Sequence, residues 1–171
     1  MMRKSIFLLV LPLILILSGC ESKKDSEYLA EAEKLVKEQK VEEALDAFQQ
    51  LKAKFPDSKL ASKSLLEMGK IYQAGMLKEL PRKESLEFAL RYFREVNEKY
   101  PKSTEAPVAL FMTAFILANE MQEFDEARAK YEQFLKLFPA HELTPSVQSE
   151  LSTLGMTPEQ ILSQKDVFGK K

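Results

Sequence analysis

The chain has 171 residues, 45% of them hydrophobic, with 25 basic and 26 acidic side chains and a formal net charge of −1. That balance leaves no basic stripe for nucleic acid. One histidine, one cysteine and five scattered glycines argue against a transition-metal site and against a phosphate-cradling loop.

In chain order the first element is a leader. Arg3 and Lys4 precede a twelve-residue apolar run, Ile6 to Leu17, interrupted only by Pro12. Twelve helical residues reach about 18 Å, short of the roughly 30 Å of a bilayer core, so the run suits a secretory signal better than a membrane span. The stretch Leu17-Ser18-Gly19-Cys20 resembles the lipobox of bacterial lipoproteins. That resemblance implies cleavage after residue 19 and acylation of Cys20, which then serves as a membrane tether; two or three acyl chains make a stable anchor. Glu21 stands where an aspartate would imply inner-membrane retention in enteric-type bacteria, so the resemblance points to the outer membrane, with inner-membrane anchoring as the alternative. Residues 20–27 read as the lipidated N-terminus and a polar linker. Loss of Arg3 and Lys4 leaves 23 basic against 26 acidic residues, a net charge of −3. About 150 residues then remain, enough for one domain.

Residues 28–156 repeat one phrase. Phe55-Pro56-Asp57-Ser58, Tyr100-Pro101-Lys102-Ser103 and Phe138-Pro139-Ala140-His141 each follow an apolar stripe: Ala44, Phe48, Leu51; Ala89, Phe93, Val96; Ala127, Tyr131, Phe134. Steps of four and three residues define one face of an amphipathic helix. The proline after each stripe ends that helix, and Ser58 and Ser103 are expected to cap the next one. A second helix type aligns Ala61, Leu65, Leu66, Gly69 and Tyr72 with Ala106, Leu110, Phe111, Ala114 and Leu117, and more loosely with Tyr28, Ala32 and Leu35. The small residues Ala32, Gly69 and Ala114, facing Ala44, Ala89 and Ala127, mark close helix crossings. The segment Gly75 to Glu84 interrupts the second unit and is expected to be the longest loop. Thr144 to Leu154 reads as a closing helix. Residues 157–171 read as a short helix, opened by Thr157-Pro158-Glu159-Gln160, and a polar tail from Lys165.

This pattern resembles the tetratricopeptide repeat, whose fold is an all-α superhelix. Here it implies about three helical hairpins plus a C-terminal capping helix. Glu123-Phe124-Asp125-Glu126-Ala127 matches the family's turn into its second helix, and Lys40-Val41-Glu42-Glu43-Ala44 nearly copies it. The longer link after each proline is most similar to BamD-type outer-membrane β-barrel assembly lipoproteins and TolA-binding-type cell-division coordinators. The resemblance implies a membrane-anchored periplasmic scaffold for other envelope proteins, in outer-membrane assembly or envelope biogenesis. The alternatives are a pilus or secretin pilot, a cell-division or peptidoglycan coordinator, and an accessory subunit of an envelope enzyme.

No catalytic residue, cofactor or metal is expected. His141 occupies a turn position, and the pairs Glu42-Glu43 and Asp125-Glu126 sit where they complement helix dipoles. By the family's arrangement, a partner's peptide or loop would lie in the concave groove against Lys63, Leu66, Lys70 and Gln73 of the second unit and Val108, Phe111, Phe115 and Asn119 of the third. A helix as apolar as Ala106 to Ala118 is equally that of a buried mid-stack element, and Ile161, Leu162 and Phe168 could fold back over the groove.

Overall fold

In the computed structural model, residues 23–168 are described; Cys20 and the leader lie outside them. Eight helices and no strand occur among the described residues: α1 (Asp25–Lys37), α2 (Val41–Lys54), α3 (Lys59–Gln73), α4 (Arg82–Lys99), α5 (Ala106–Asn119), α6 (Phe124–Leu137), α7 (Thr144–Thr153) and α8 (Pro158–Phe168). They pair as antiparallel hairpins α1/α2, α3/α4 and α5/α6. Each hairpin stacks on the next, and α7 closes the row. Isolated helices of this length are marginal in water, so the stack supplies their stability.

The three stripes form its spine. Ala44, Phe48 and Leu51, then Ala89, Phe93 and Val96, then Ala127, Tyr131 and Phe134 are all 0% exposed. On the partner helices Ala32, Ala61, Ala106 and Ala114 are equally buried. Gly69 shows why small residues recur at the crossings: a Cβ there would lie 2.4 Å from Cε1 of Phe93. The glycine makes room for the ring four residues beyond Ala89, more than for Ala89 itself.

The repeat is written in the backbone too. Phe55, Tyr100 and Phe138, each just before a proline, share φ/ψ near −130°/55° (−131/58, −127/50 and −130/52). A residue before proline is pushed out of the helical region, so the three helices end alike. At the tips of the short hairpins Gln39 and Gln122 take left-handed φ of 60° and 58°. Lys40 and Glu123 then follow with φ/ψ of −89°/70° and −90°/69°.

Four boundaries differ from the sequence expectation. Helix α1 takes in Asp25, Ser26 and Glu27, assigned above to the linker. Glu27 reaches back to the Lys24 N–H at 2.6 Å, closing the first turn. Ser58 caps α3 as expected, its hydroxyl accepting from the Leu60 N–H at 3.0 Å, but Ser103 does not cap α5, which begins after Glu105. A helix capped at Ser103 would need the N–H of residue 107 to bond the Ser103 carbonyl, and residue 107 is proline. Helix α4 already starts at Arg82, so the long connection is residues 74–81. It remains the longest between helices, with Met76 and Leu77 packed against the core. Finally, α8 extends to Phe168 through the expected polar tail. Its Thr157–Gln160 capping box is present, with Gln160 accepting from the Thr157 N–H at 2.8 Å and Thr157 from the Gln160 N–H at 3.4 Å.

Candidate partner-binding surface

Helices α1, α3, α5 and α7 are the first helices of successive units, and their outward side carries the groove positions. Lys63 bridges two units: its ammonium donates to Glu33 of α1 at 2.7 Å, and that bond raises its pKa. Lys70 is exposed and pairs with Glu67 of its own helix at 2.9 Å. Gln73 is half-buried, while Leu66 is only 6% exposed and has little surface to present. In the third unit Val108, Phe111 and Phe115 are half-buried and Asn119 is exposed. The Asn119 amide donates to the Phe115 carbonyl at 3.2 Å, so its side chain folds back on the helix end.

Met112 belongs with these residues and was missed by family-based mapping. Val108, Phe111, Met112 and Phe115 are all half-buried, and their spacing of three, four and seven places them on one helix face. The 3.6-residue rule would have found Met112; it was obscured because α5 is apolar nearly all round. Phe111 is anchored on both sides, its ring centroid 6.1 Å from Phe115 and 6.2 Å from Tyr131. Tyr131 is fully buried. Burial drives its phenol pKa far above the usual value, and the nearby Glu150 of α7 pushes the same way. Its hydroxyl makes no hydrogen bond of normal geometry. Ile161 of α8 lines a cleft with Ala118 and Asn119 at one end of the stripe, whereas Leu162 is 63% exposed.

A second aromatic cluster sits where the long connection leaves α3. Tyr72 stacks on Phe88 (centroids 4.9 Å) and on Tyr92 (5.5 Å), and the Arg91 guanidinium lies 4.6 Å from the Phe88 ring centre. Phe88 and Tyr92 each precede a member of the buried Ala89/Phe93 stripe by one residue, so stripe-reading passed over them.

Elsewhere the polar groups have structural duties. His141 Nδ1 accepts from the Leu143 N–H at 3.2 Å, and its ring packs edge-on to Phe134. In the cleft between residues 55–58 and 100–105, Lys59, Lys99 and Lys102 are offset by Asp57 and Glu105. No cluster of metal-ligating side chains occurs among the described residues, and no described helix is long and apolar enough to cross a membrane.

Comparison with known proteins fits this geometry. The tetratricopeptide-repeat family profile matches residues 28–58 and 108–141, which are the first and third hairpins with their proline turns. The second hairpin, lengthened by residues 74–81, falls between the matches. Neither the curated proteins nor the solved structures contain a match. Proteins of this repeat are in general non-catalytic scaffolds that bind other proteins. With the family turn at both ends of the stack and the same hairpin between them, the fold is that of a tetratricopeptide-repeat superhelix.

Proposed function

We propose that this scaffold is tethered to the outer membrane through acylated Cys20 and holds a partner's peptide or loop on its α3–α5 face during envelope biogenesis, with outer-membrane protein assembly as the favoured process. The observation that carries the binding half is the half-exposed stripe Val108, Phe111, Met112 and Phe115. Apolar anchors beside polar orienting groups, here Lys63, Lys70, Gln73 and Asn119, are the composition of a peptide site. The tether is supported by Leu17-Ser18-Gly19-Cys20 and the preceding apolar run, and the process by the resemblance of the long proline link to the β-barrel assembly lipoproteins.

Two experiments test the two halves separately. Cys20→Ser should abolish palmitate labelling and move the protein out of the membrane fraction or stall it uncleaved; unchanged labelling refutes the tether. Phe115→Ser should retain the helical circular-dichroism spectrum yet lose the partner in a crosslinking pull-down from native membranes. Loss of fold in that variant assigns the stripe to the core and removes the groove. Recovery of β-barrel assembly components supports the favoured process; recovery of secretin or peptidoglycan enzymes overturns it.

A further inference from the structure

The hairpin topology gives the stack two opposite edges. One holds the N-terminus of α1 and the connections 55–58, 100–105 and 138–143; the other holds 38–40, 74–81 and 120–123. Hydrogen bonds tie the first edge into a row: Ser58 donates to Asp25 at 2.6 Å, and Tyr100 donates to the Pro56 carbonyl at 2.8 Å. Across the second, Arg82 pairs with Glu120 at 2.7 Å. The edges stand about 20 Å apart, the length of a 13- or 14-residue helix.

We infer that the first edge lies against anionic lipid headgroups and the second points away from the membrane. Two observations carry this, and the inference rests on the proposed acylation of Cys20. The first is reach. Cys20 lies five residues before Asp25, and five fully extended residues span at most about 18 Å. The N-terminus of α1 is therefore held within a helix length of the lipid. The second is charge. Lys24, Lys59, Lys102 and Lys136 are exposed along the first edge and make no ion pair among the described residues. Lys54 joins them, and these five lysines face four exposed acids that make no ion pair among the described residues, Glu27, Asp57, Glu98 and Glu142. On the second edge the exposed acids Glu42, Glu43, Glu79, Glu84, Glu123, Asp125 and Glu126 face three exposed lysines, Lys37, Lys78 and Lys83, none of them in an ion pair among the described residues. An anionic surface therefore repels the second edge and not the nearly balanced first. The half-buried stripe on α5 runs between the two edges, so a partner would approach it parallel to the membrane surface.

Contact quenching tests the orientation. Acylation consumes the Cys20 thiol, so a single introduced cysteine is the only free thiol of the mature chain. Lys102→Cys on the first edge and Lys78→Cys on the second would each carry a small dye. The lipidated full-length proteins would be reconstituted into phosphatidylethanolamine/phosphatidylglycerol vesicles containing a headgroup nitroxide. Quenching at position 102 should exceed that at 78 severalfold. The difference should shrink in phosphatidylcholine vesicles and in a Lys24→Glu/Lys59→Glu/Lys136→Glu background. Equal or reversed quenching in protein that floats with the vesicles overturns the orientation and leaves the tether standing. Protein that carries no acyl group and fails to float overturns the tether, and the orientation with it.

Discussion

Gly69→Ala is the sharpest test of the helix crossing. In an exposed helix this change stabilises by about 1 kcal/mol, because alanine loses less backbone entropy. Here the new Cβ would lie 2.4, 2.7 and 2.9 Å from three atoms of the Phe93 ring, closer than unbonded carbons approach. The ring is 0% exposed and shares its helix face with Ala89 and Val96, both also at 0%, so it has no empty space to move into. Overpacking of this kind costs about 1–3 kcal/mol. Measured costs include any propensity gain only partly, so we expect a net loss of about 1–2 kcal/mol in urea unfolding. That corresponds to roughly 3–8 °C in Tm for a domain of this size. Phe93→Leu alone should cost about 1–2 kcal/mol through its cavity. In the double variant the smaller side chain accepts the methyl group, so the pair should couple favourably by at least about 0.5 kcal/mol. A Gly69→Ala protein as stable as the parent, or more stable, would refute the crossing.

Further perturbations follow from the same structure. Ala89→Phe should overpack the α3/α4 crossing by about 1–3 kcal/mol or more, whereas exposed Lys83→Ala should change stability by less than about 0.5 kcal/mol; equal melting temperatures would contradict the register. Phe111→Ser should lower Tm as well as partner recovery, because the ring packs on Tyr131, while Phe115→Ser should affect recovery more than Tm. Burial pushes the Glu95 carboxyl up, but Lys99 and Lys52 together outweigh it and hold its pKa below the ordinary 4.5. The stability it contributes is therefore complete above about pH 4.5 and lost as pH falls through the lowered folded value. Glu95→Gln should cost up to about 1 kcal/mol at neutral pH and flatten the acid limb of a pH–stability curve; an unaltered curve would show the pair to be inert.

Most of the fold was legible because one physical constraint recurs at fixed spacing. Ala44, Phe48 and Leu51 and their counterparts must face the same kind of neighbour in every unit, and a proline follows each set. What the pattern did not carry were features decided by a single residue or by the third dimension. Pro107 delays the start of α5 through one missing N–H. Phe111 and Leu66 hold equivalent positions in successive units, yet only packing against the neighbours tells that Leu66 is covered and Phe111 is not fully so. Phe88 and Tyr92 lie just off the periodic face, and their stacking on Tyr72 depends on a connection that has no counterpart in the other units.

The weakly held end of the stack has a consequence for how the molecule opens. Helix α7 contributes one fully buried side chain, Val147, whereas α3 and α5 each contribute eight or nine buried residues. In a one-dimensional array each unit is stabilised chiefly by its neighbours, so a terminal unit has half the support of an internal one. Opening should therefore travel as a front from α7 inward, with amide hydrogens exchanging fastest in α7 and slowest in α3 to α5. A front that pauses at α6 would uncover Tyr131 and Phe134 as a surface of the same width as a helix. The molecule's stability against such opening is therefore set at one end of the array and not by its average.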